Sequence, residues 1–317
     1  MRAHFEKNGI DAAVIESFFK ALARFGARRE VTAVDIGFKL TNGEIDAAAG
    51  PTIRVHVREK VDKPSYVPPA QRIPRRIEGV PTDVIQAIYV THTGTCPTLP
   101  DRIKRADTIQ PGISIGHEDG TAGTLGLVVR DAGAADASPR YLLSCDHVLE
   151  ESQDPRVGDA ILQPGPADGG RPANDTIAKL ERYNRRMDAA IARIAGDRNL
   201  DLSQFETGKV LLGPEYPILG SILEKSGKGS CVTHAIVDGV GIYPGVGPGL
   251  RLRPIVDDGS YGPISDFGDS GAIWYEPDTR LAIGMHARGS DFQNEVEQFA
   301  IASCLPDVFE RLQIALP

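Results

Sequence analysis

The stretch FGDSGAI, from Phe267 to Ile273, decides the expected fold. Its Gly-Asp-Ser-Gly core predicts a tight turn that runs directly into an apolar strand, and Gly268 and Gly271 permit backbone conformations that other residues avoid. Such a turn can present the Ser270 hydroxyl beside backbone N–H groups that point at one spot, which is the arrangement that acyl transfer requires. An ordinary turn between strands has a similar sequence, so further motifs must decide between the two interpretations.

A second stretch, YLLSCDHVL at residues 141–149, places a histidine at the end of a strongly apolar strand. His147 lies upstream of Ser270, and Asp188 lies between them, directly before an apolar run. A carboxylate at the entry of a buried strand is well placed to orient a histidine, so we predict the catalytic set His147, Asp188 and Ser270. A surface salt bridge from Asp188 to Arg185 or Arg186 is the alternative.

Other aspartates between the histidine and the serine are rivals for the orienting role. None is followed by so apolar a strand, and two of them lie in turns rich in proline and glycine. The rivals are Asp154, Asp159, Asp168 and Asp175.

The three motifs together resemble those of trypsin-like serine proteases without disulfides. Residues 142–149 resemble the histidine motif of that family, residues 187–191 resemble the aspartate motif, and residues 268–271 match the serine motif. The resemblance covers about residues 110–316. A narrower likeness, to the bacterial and plant group that includes the narrow-leaf proteins, rests on the segments IGFK (36–39), IRVHVREK (53–60) and EKSGKGSCVTH (224–234).

This resemblance implies a mainly β protein, a chymotrypsin-like double β-barrel with a C-terminal helix. It also implies a serine endopeptidase in which Ser270 attacks, His147 transfers the proton and Asp188 orients the imidazole. The backbone N–H groups of Gly268 and Ser270 would form the oxyanion hole. The alternative function is a catalytically silent protease fold that serves as a binding or assembly module.

The same resemblance assigns the substrate pocket to residues just before the serine and on the strand after it. Ile264, Ser265 and Arg288 occupy those places. Ile264 would give an apolar floor, whereas Arg288 could select an acidic side chain. The sequence leaves both specificities open.

The chain divides into three expected parts. Residues 1–90 form a small α+β domain, 91–110 a linker and 111–317 the protease domain. Apolar residues recur at helical spacing over about 10–26, and two alternating segments follow, which predicts one helix and two strands in the N-terminal domain. Because this domain carries no candidate catalytic group, we expect it to regulate or assemble the enzyme.

The amino-acid composition limits which classes of partner we expect. The net charge of −8 provides no basic surface for nucleic acid, and no run of about 20 apolar residues could cross a membrane. The first residues do not resemble a secretory signal, so we expect a cytoplasmic protein. We expect a protein or peptide substrate, and a homo-oligomer is a candidate assembly.

The four cysteines are expected to be reduced and to bind no metal. Cys96, Cys145, Cys231 and Cys304 are scattered through the chain and include no CxxC pair. Cys145 with His147, or Cys231 with His234, could supply two metal ligands. Neither has the matching second pair of a structural zinc site, so the sequence predicts no metal and no cofactor.

Overall fold

The computed structural model describes residues 2–7, 9–41, 44–61, 66–69, 71–87, 89–90, 98–134, 139–150, 156–255, 264–290 and 299–317. The helices in these ranges are α1 (Arg2–Lys7), α2 (Ala12–Phe25), α3 (Leu99–Ile103), α4 (Asp146–Leu149), α5 (Pro172–Asp175) and α6 (Leu305–Leu312). The strands of the N-terminal part are β1 (Val31–Thr41), β2 (Glu44–Val57), β3 (Arg76–Ile77), β4 (Val80–Gln86) and β5 (Tyr89–Val90).

The remaining strands follow in two groups. The first group is β6 (Thr108–Ile109), β7 (Ser114–His117), β8 (Gly123–Thr124), β9 (Leu127–Asp131), β10 (Tyr141–Ser144), β11 (Ala160–Leu162), β12 (Thr176–Asn184), β13 (Ala189–Ile194) and β14 (Asn199–Leu200). The second group is β15 (Leu212–Pro214), β16 (Ile222–Gly227), β17 (Cys231–Tyr243), β18 (Gly247–Pro254), β19 (Ile273–Tyr275), β20 (Leu281–Ser290), β21 (Ala300–Cys304) and β22 (Ile314–Ala315).

Six strands of the second group close into a barrel, which we call the C-terminal barrel. Their order is β16, β19, β20, β21, β18 and β17, and β16 also pairs with β17, so the sheet returns to its first strand. Closure leaves no free edge among these six strands. The interior is filled by buried side chains, including Leu223, Val237, Trp274 and Ile283.

Seven strands of the first group, together with β22 of the second, form another curved sheet, which we call the half-barrel. Its order is β22, β9, β10, β13, β12, β11, β7 and β8. Leu127, Leu142, Ile161 and Ile191 are among the buried residues that fill it. A closed barrel beside a half-barrel, followed by helix α6, confirms the expected mainly β fold of the chymotrypsin-like double-barrel type.

The N-terminal part begins with helices α1 and α2 and continues into the hairpin of β1 and β2, and α2 is the longer helix. Helix α2 matches the one predicted from the apolar spacing, and the Asp11 side chain caps it by accepting the N–H of Ala13 at 2.7 Å. Strand β1 also pairs with β17 of the C-terminal barrel, with Val34 opposite Ile242. Hydrogen bonds and a shared core therefore cross the proposed boundary at residue 90.

Helix α6 contacts strands of both sheets. Pro306 lies in its first turn, where the missing N–H costs little. Leu305, Val308, Phe309 and Leu312 are its buried side, and their spacing of three and four residues is that of one helical face. The helix contacts β12 and β13 of the half-barrel and β20 and β21 of the C-terminal barrel.

The cysteines differ from expectation at one place. Cys145 and Cys304 are free, as predicted, and both are buried, but Cys231 takes part in a disulfide. The prediction of four reduced cysteines, and with it a disulfide-free chain, is therefore wrong at Cys231. Spacing along the chain could not reveal this, because pairing depends on which cysteines the fold brings within bonding distance.

No helix in the described ranges combines the length and the apolar character needed to span a bilayer.

Candidate active site

The His147 and Asp188 side chains form a hydrogen-bonded pair. His147 lies in the short helix α4, and its Nδ1 is 2.8 Å from each carboxylate oxygen of Asp188. Since an ionised carboxylate can only accept, Nδ1 carries a proton in this pair and Nε2 of the neutral ring is free to accept one. The backbone N–H of His147 also donates to Asp188 Oδ1 at 3.2 Å.

The backbone at Asp188 explains how its carboxylate reaches the histidine. Asp188 has a φ of 49°, in the left-handed region that residues with a side chain seldom adopt. It ends the turn after β12 and directly precedes β13, as the apolar run after it predicted. The carboxylate side chain is only 5% exposed, whereas the imidazole of His147 is 40% exposed. The pair therefore has a buried orienting acid and an accessible ring.

The rival carboxylates have other partners. His117 lies 3.3 Å from Asp159, and Asp168 accepts from Lys228 at 2.8 Å. Asp175 is paired with Arg105 and Arg198, and Asp154 lies outside the described residues.

Arg185, an alternative salt-bridge partner of Asp188 in the sequence analysis, pairs with a different acid in the structure. Arg185 pairs with Glu150 through both ends of its guanidinium, with Nε at 3.1 Å from Oε2. The neighbouring Asp146 is buried, and burial together with Glu150 raises its pKa to about 8. The charge of Arg185 is thus directed to Glu150 behind the short helix of His147.

The Ser270 turn is built on two glycines with positive φ. Gly268 has a φ of 95° and Gly271 a φ of 97°. A Cβ on Gly271 would lie 2.1 Å from Ser144 Oγ, so no larger residue fits there. Thr124 of the half-barrel holds the turn from the other side: its hydroxyl donates to the Gly268 carbonyl at 2.6 Å, and its N–H donates to the Ser270 carbonyl at 2.8 Å.

Two backbone donors beside Ser270 are left without partners in the described part of the chain. The N–H groups of Gly268 and Ser270 form no hydrogen bond with any described residue, whereas the N–H of Asp269 donates to the Asp266 carbonyl at 3.0 Å. The carbonyl of Phe267 packs against Gly229, and the trans peptide turns the Gly268 N–H the opposite way. Unpaired donors of this kind can bind a negatively charged oxygen.

A cavity of about 550 Å³ joins the serine and the histidine. Both Ser270 and His147 line it, together with Gly268, Lys228 and Arg288. Within the described residues no hydrogen bond connects the Ser270 hydroxyl to His147. Catalytic hydrogen bonds often tighten only when substrate is bound, so shared access to one cavity is the relevant geometry here.

A buried ion pair lies directly beneath the serine turn. Lys225 Nζ is 2.8 Å from Asp269 Oδ2, and both side chains are fully buried. Burial by itself raises the pKa of Asp269, but the Lys225 ammonium and hydrogen bonds outweigh it and bring the pKa down to about 2. The Asp269 carboxylate also accepts the backbone N–H groups of Gly229, Ser230 and Asp266, at 2.8, 3.1 and 2.9 Å.

Sequence reasoning did not identify Lys225 or Lys228 as parts of the site. Lys228 lines the cavity, and a Cβ on Gly268 would lie 3.1 Å from its Nζ, so the ammonium is beside the turn. The available signal was weak: Lys225 interrupts the strand-like segment from Ile222 to Gly227, and a charged residue inside a strand is commonly solvated.

Of the three pocket candidates, one lines the cavity. Arg288 is among the lining residues. Ile264 is buried in the core of the C-terminal barrel, and Ser265 is also buried. Neither of these two is among the described residues that face the cavity.

Cys145, His147 and Asp188 have ligand-type atoms that lie within 4.8 Å of one another. A cysteine binds metal as the thiolate, but burial raises the pKa of the Cys145 thiol well above its usual value. The thiol donates to the carbonyl of His286 at 3.1 Å, and His147 Nδ1 already pairs with Asp188. These contacts suit a buried thiol behind a hydrogen-bonded pair better than a metal site.

Comparison with known proteins gives matches among solved structures alone. No family model and no curated protein matches the chain. Thermobifida fusca protease A is similar over 66% of this chain and 98% of its own, at 13% identity and a TM-score of 0.47. A glutamic-acid-specific serine protease is similar over 66% of this chain and 100% of its own, at 16% identity and a TM-score of 0.46. Nocardiopsis protease is similar over 66% of this chain and 100% of its own, at 14% identity and a TM-score of 0.46. Similarity at this level, with identities of 13–16% and TM-scores of 0.46–0.47, assigns no activity or specificity.

Proposed function

We propose that the chain is a serine endopeptidase. The observation that carries the proposal is the His147–Asp188 pair on one side of a cavity whose other side is the Ser270 turn with two unpaired N–H groups. A hydroxyl, a base with an orienting acid and an oxyanion site are the three parts that acyl transfer requires.

In the proposed reaction the Ser270 oxygen bonds to the carbonyl carbon of the peptide while its proton passes to His147 Nε2. The carbonyl oxygen becomes an oxyanion, which the N–H groups of Gly268 and Ser270 bind. His147 then donates its proton to the leaving amine as the C–N bond breaks. Water, deprotonated by His147, then attacks the acyl carbon, and His147 returns this proton to the Ser270 oxygen as the bond from that oxygen to the acyl group breaks.

Asp269 takes no part in this proton transfer. Its carboxylate is paired with Lys225 and accepts three backbone N–H groups of the surrounding loops. We assign Asp269 and Lys225 as positioning residues, since they fix the path of the chain that carries Gly268 and Ser270.

The test is labelling by a fluorophosphonate probe together with hydrolysis of an unstructured protein such as casein. Wild type should label at Ser270 and cleave, whereas Ser270→Ala should do neither, with hydrolysis lower by about 10⁵-fold or more. Ser221→Ala is the matched control, because Ser221 does not line the cavity and bonds the carbonyl of Ile218. Wild-type protein that neither labels nor cleaves would contradict the proposal.

The second candidate function is a silent protease fold that binds peptide without cleaving it. The observation in its favour is that Ser270 and His147 are not hydrogen-bonded to each other in the described structure. The same labelling experiment separates the two functions, since a silent site binds peptide but does not react with the probe.

The N-terminal domain has a proposed role in regulation or assembly. It supplies none of the three catalytic groups, and its strand β1 is hydrogen-bonded to the C-terminal barrel. The cytoplasmic location and the homo-oligomer stay predictions from the sequence.

A further inference from the structure

The charges around the Ser270 cavity are unequally compensated. Lys228 is neutralised by Asp168, at 2.8 Å, and Glu150 is neutralised by Arg185. In each of these ion pairs the two opposite charges compensate each other, so little net charge remains to attract a ligand. Arg288 is different.

Arg288 is a partly buried cation that lines the cavity on strand β20. Its guanidinium forms no hydrogen bond and no ion pair with any residue that the structure describes. A buried or half-buried guanidinium normally has an acidic partner, because removing it from water has a cost that only a partner offsets. An uncompensated cation at the wall of a cavity therefore indicates an anionic ligand.

The backbone around Arg288 makes room for this side chain. A Cβ on Gly245 would lie only 2.6 Å from Arg288 Nη2, so the turn between β17 and β18 accepts the guanidinium because residue 245 is a glycine. Gly245 also has a φ of 71°, which favours glycine independently. The position of Arg288 is thus fixed by the strand that carries it and by the turn beneath it.

Asp266 is an acid that lines the same cavity as Arg288. Asp266 is buried, and its Oδ1 accepts the N–H of Phe267. Burial raises the pKa of Asp266 to about 6, and the nearby ammonium groups of Lys225 and Lys228 act in the opposite direction, so cations already lie beside this acid. Arg288 forms no hydrogen bond and no ion pair with Asp266, so its charge stays available to a ligand.

We propose that Arg288 binds a carboxylate of the peptide substrate and so makes the enzyme selective for acidic peptides. The inference rests on the proposed function and names its substrate class. The planar guanidinium can donate two parallel hydrogen bonds to one carboxylate, which an amide of the same shape cannot receive as a charge-assisted pair. The carboxylate can belong to an aspartate or glutamate side chain or to the C-terminus of the peptide.

The first experiment measures kcat/KM on matched peptides. Glutamate or glutamine is placed in turn at each of the three positions before the cleaved bond, and each peptide is made with a free and an amidated C-terminus. Wild type should prefer glutamate over glutamine at one position by at least about tenfold. Arg288→Gln should abolish that preference, and Arg288→Lys should keep part of it. Preference for the free C-terminus instead would assign the α-carboxylate as the ligand.

Arg311→Gln is the matched control, because Arg311 is an exposed arginine on helix α6 that does not line the Ser270 cavity. It should leave the preference unchanged. If Arg288→Gln and Arg311→Gln behave alike, or if wild type discriminates no carboxylate, the inference is overturned.

A second experiment measures binding without catalysis. Ser270→Ala protein is titrated with the same peptides carrying a fluorophore, and the glutamate peptide should bind at least about tenfold more tightly than its glutamine counterpart. If wild type labels with the fluorophosphonate but shows no carboxylate preference in either experiment, Arg288 selectivity is wrong and the protease proposal stands. If labelling fails while the Arg288-dependent binding preference holds, the protease proposal is wrong and the anion site stands.

Discussion

Two buried ion clusters in this protein use similar chemistry in different regions. Beneath the Ser270 turn, Lys225 and Asp269 are fully buried and 2.8 Å apart. Between the N-terminal hairpin and the C-terminal barrel, Arg54 and Asp35 are also fully buried, and their closest atoms are 2.6 Å apart. In both clusters the burial of charge is offset by a close partner of opposite sign.

The two clusters differ in the groups that donate hydrogen bonds to their carboxylates. Asp269 accepts backbone N–H groups, among them those of Gly229 and Ser230, so it fixes the path of loops. Asp35 accepts from side chains, namely the guanidinium of Arg54 and the Tyr243 hydroxyl at 2.7 Å, so it joins strands β1, β2 and β17. The first arrangement shapes a turn beside a cavity, and the second joins two parts of a sheet.

Asp238 extends the hairpin cluster into the barrel. It accepts from Arg54 at 3.2 Å and from Arg251 of strand β18. A Cβ on Gly239 would lie 1.9 Å from Arg54 Nη2, so the barrel backbone is shaped around this arginine. Burial and charge are thus alike in the two regions, and what distinguishes the functional candidate is the neighbouring cavity with unpaired donors.

The largest effect that tests this contrast is expected at the carboxylate beside the Ser270 cavity. Asp188→Asn should fold normally and lose about 10⁴-fold in kcat, because an amide favours the wrong tautomer of His147. Peptide hydrolysis measures the loss, and thermal unfolding measures the fold.

Asp175→Asn serves as the comparison, since Asp175 is paired with Arg105 and Arg198, away from His147. If Asp175→Asn inactivates the enzyme and Asp188→Asn does not, the catalytic region has been placed at the wrong carboxylate.

An intermediate effect is expected when the two clusters are broken in the same way. Lys225→Met and Arg54→Met each leave a buried carboxylate with less compensation, so each should lower the free energy of unfolding by about 3–5 kcal/mol. Lys225→Met should also reduce kcat of the folded fraction by about 10²-fold, because the oxyanion donors shift. Arg54→Met should leave that kcat unchanged.

The measurement is active-site titration with the fluorophosphonate, which normalises activity to folded protein, combined with urea unfolding. Equal losses of normalised kcat in the two variants would erase the distinction between the clusters.

The smallest effect concerns the pH dependence of stability at Asp266, next to the Asp269 turn. Burial raises the pKa of Asp266 from 3.8 to about 6. The folded state then holds its proton more tightly than the unfolded state, so stability is lost as the pH rises from about 4 to about 6. Relative to wild type, the free energy of unfolding of Asp266→Asn should increase by about 1–2 kcal/mol as the pH rises across that interval, measured by urea unfolding at several pH values. A pH-independent difference would contradict this account.

The sequence predicted the elements that local patterns specify. Apolar spacing located helix α2, and alternating or apolar runs located strands β1, β2, β10, β13 and β19. The apolar run after Asp188 correctly placed that residue at the entry of a strand. These features depend on residues close in the chain, and a pattern can report them.

Other parts of the site depend on distant residues. Lys225 and Asp269 are 44 positions apart, and nothing near either residue indicates the other. The disulfide at Cys231 and the contact of Arg288 with the Gly245 turn are likewise products of the packed barrel.

By itself the sequence determined the order of the chemical groups and the kind of fold, because turn residues and strand patterns act locally. The tertiary structure alone decided which charges are compensated, since compensation requires that side chains from separate strands meet in a region without water. Of the pocket candidates Ile264 and Arg288, the structure buries the first in the core and places the second at the cavity wall. That outcome depends on the curvature of a closed barrel, which no single strand encodes.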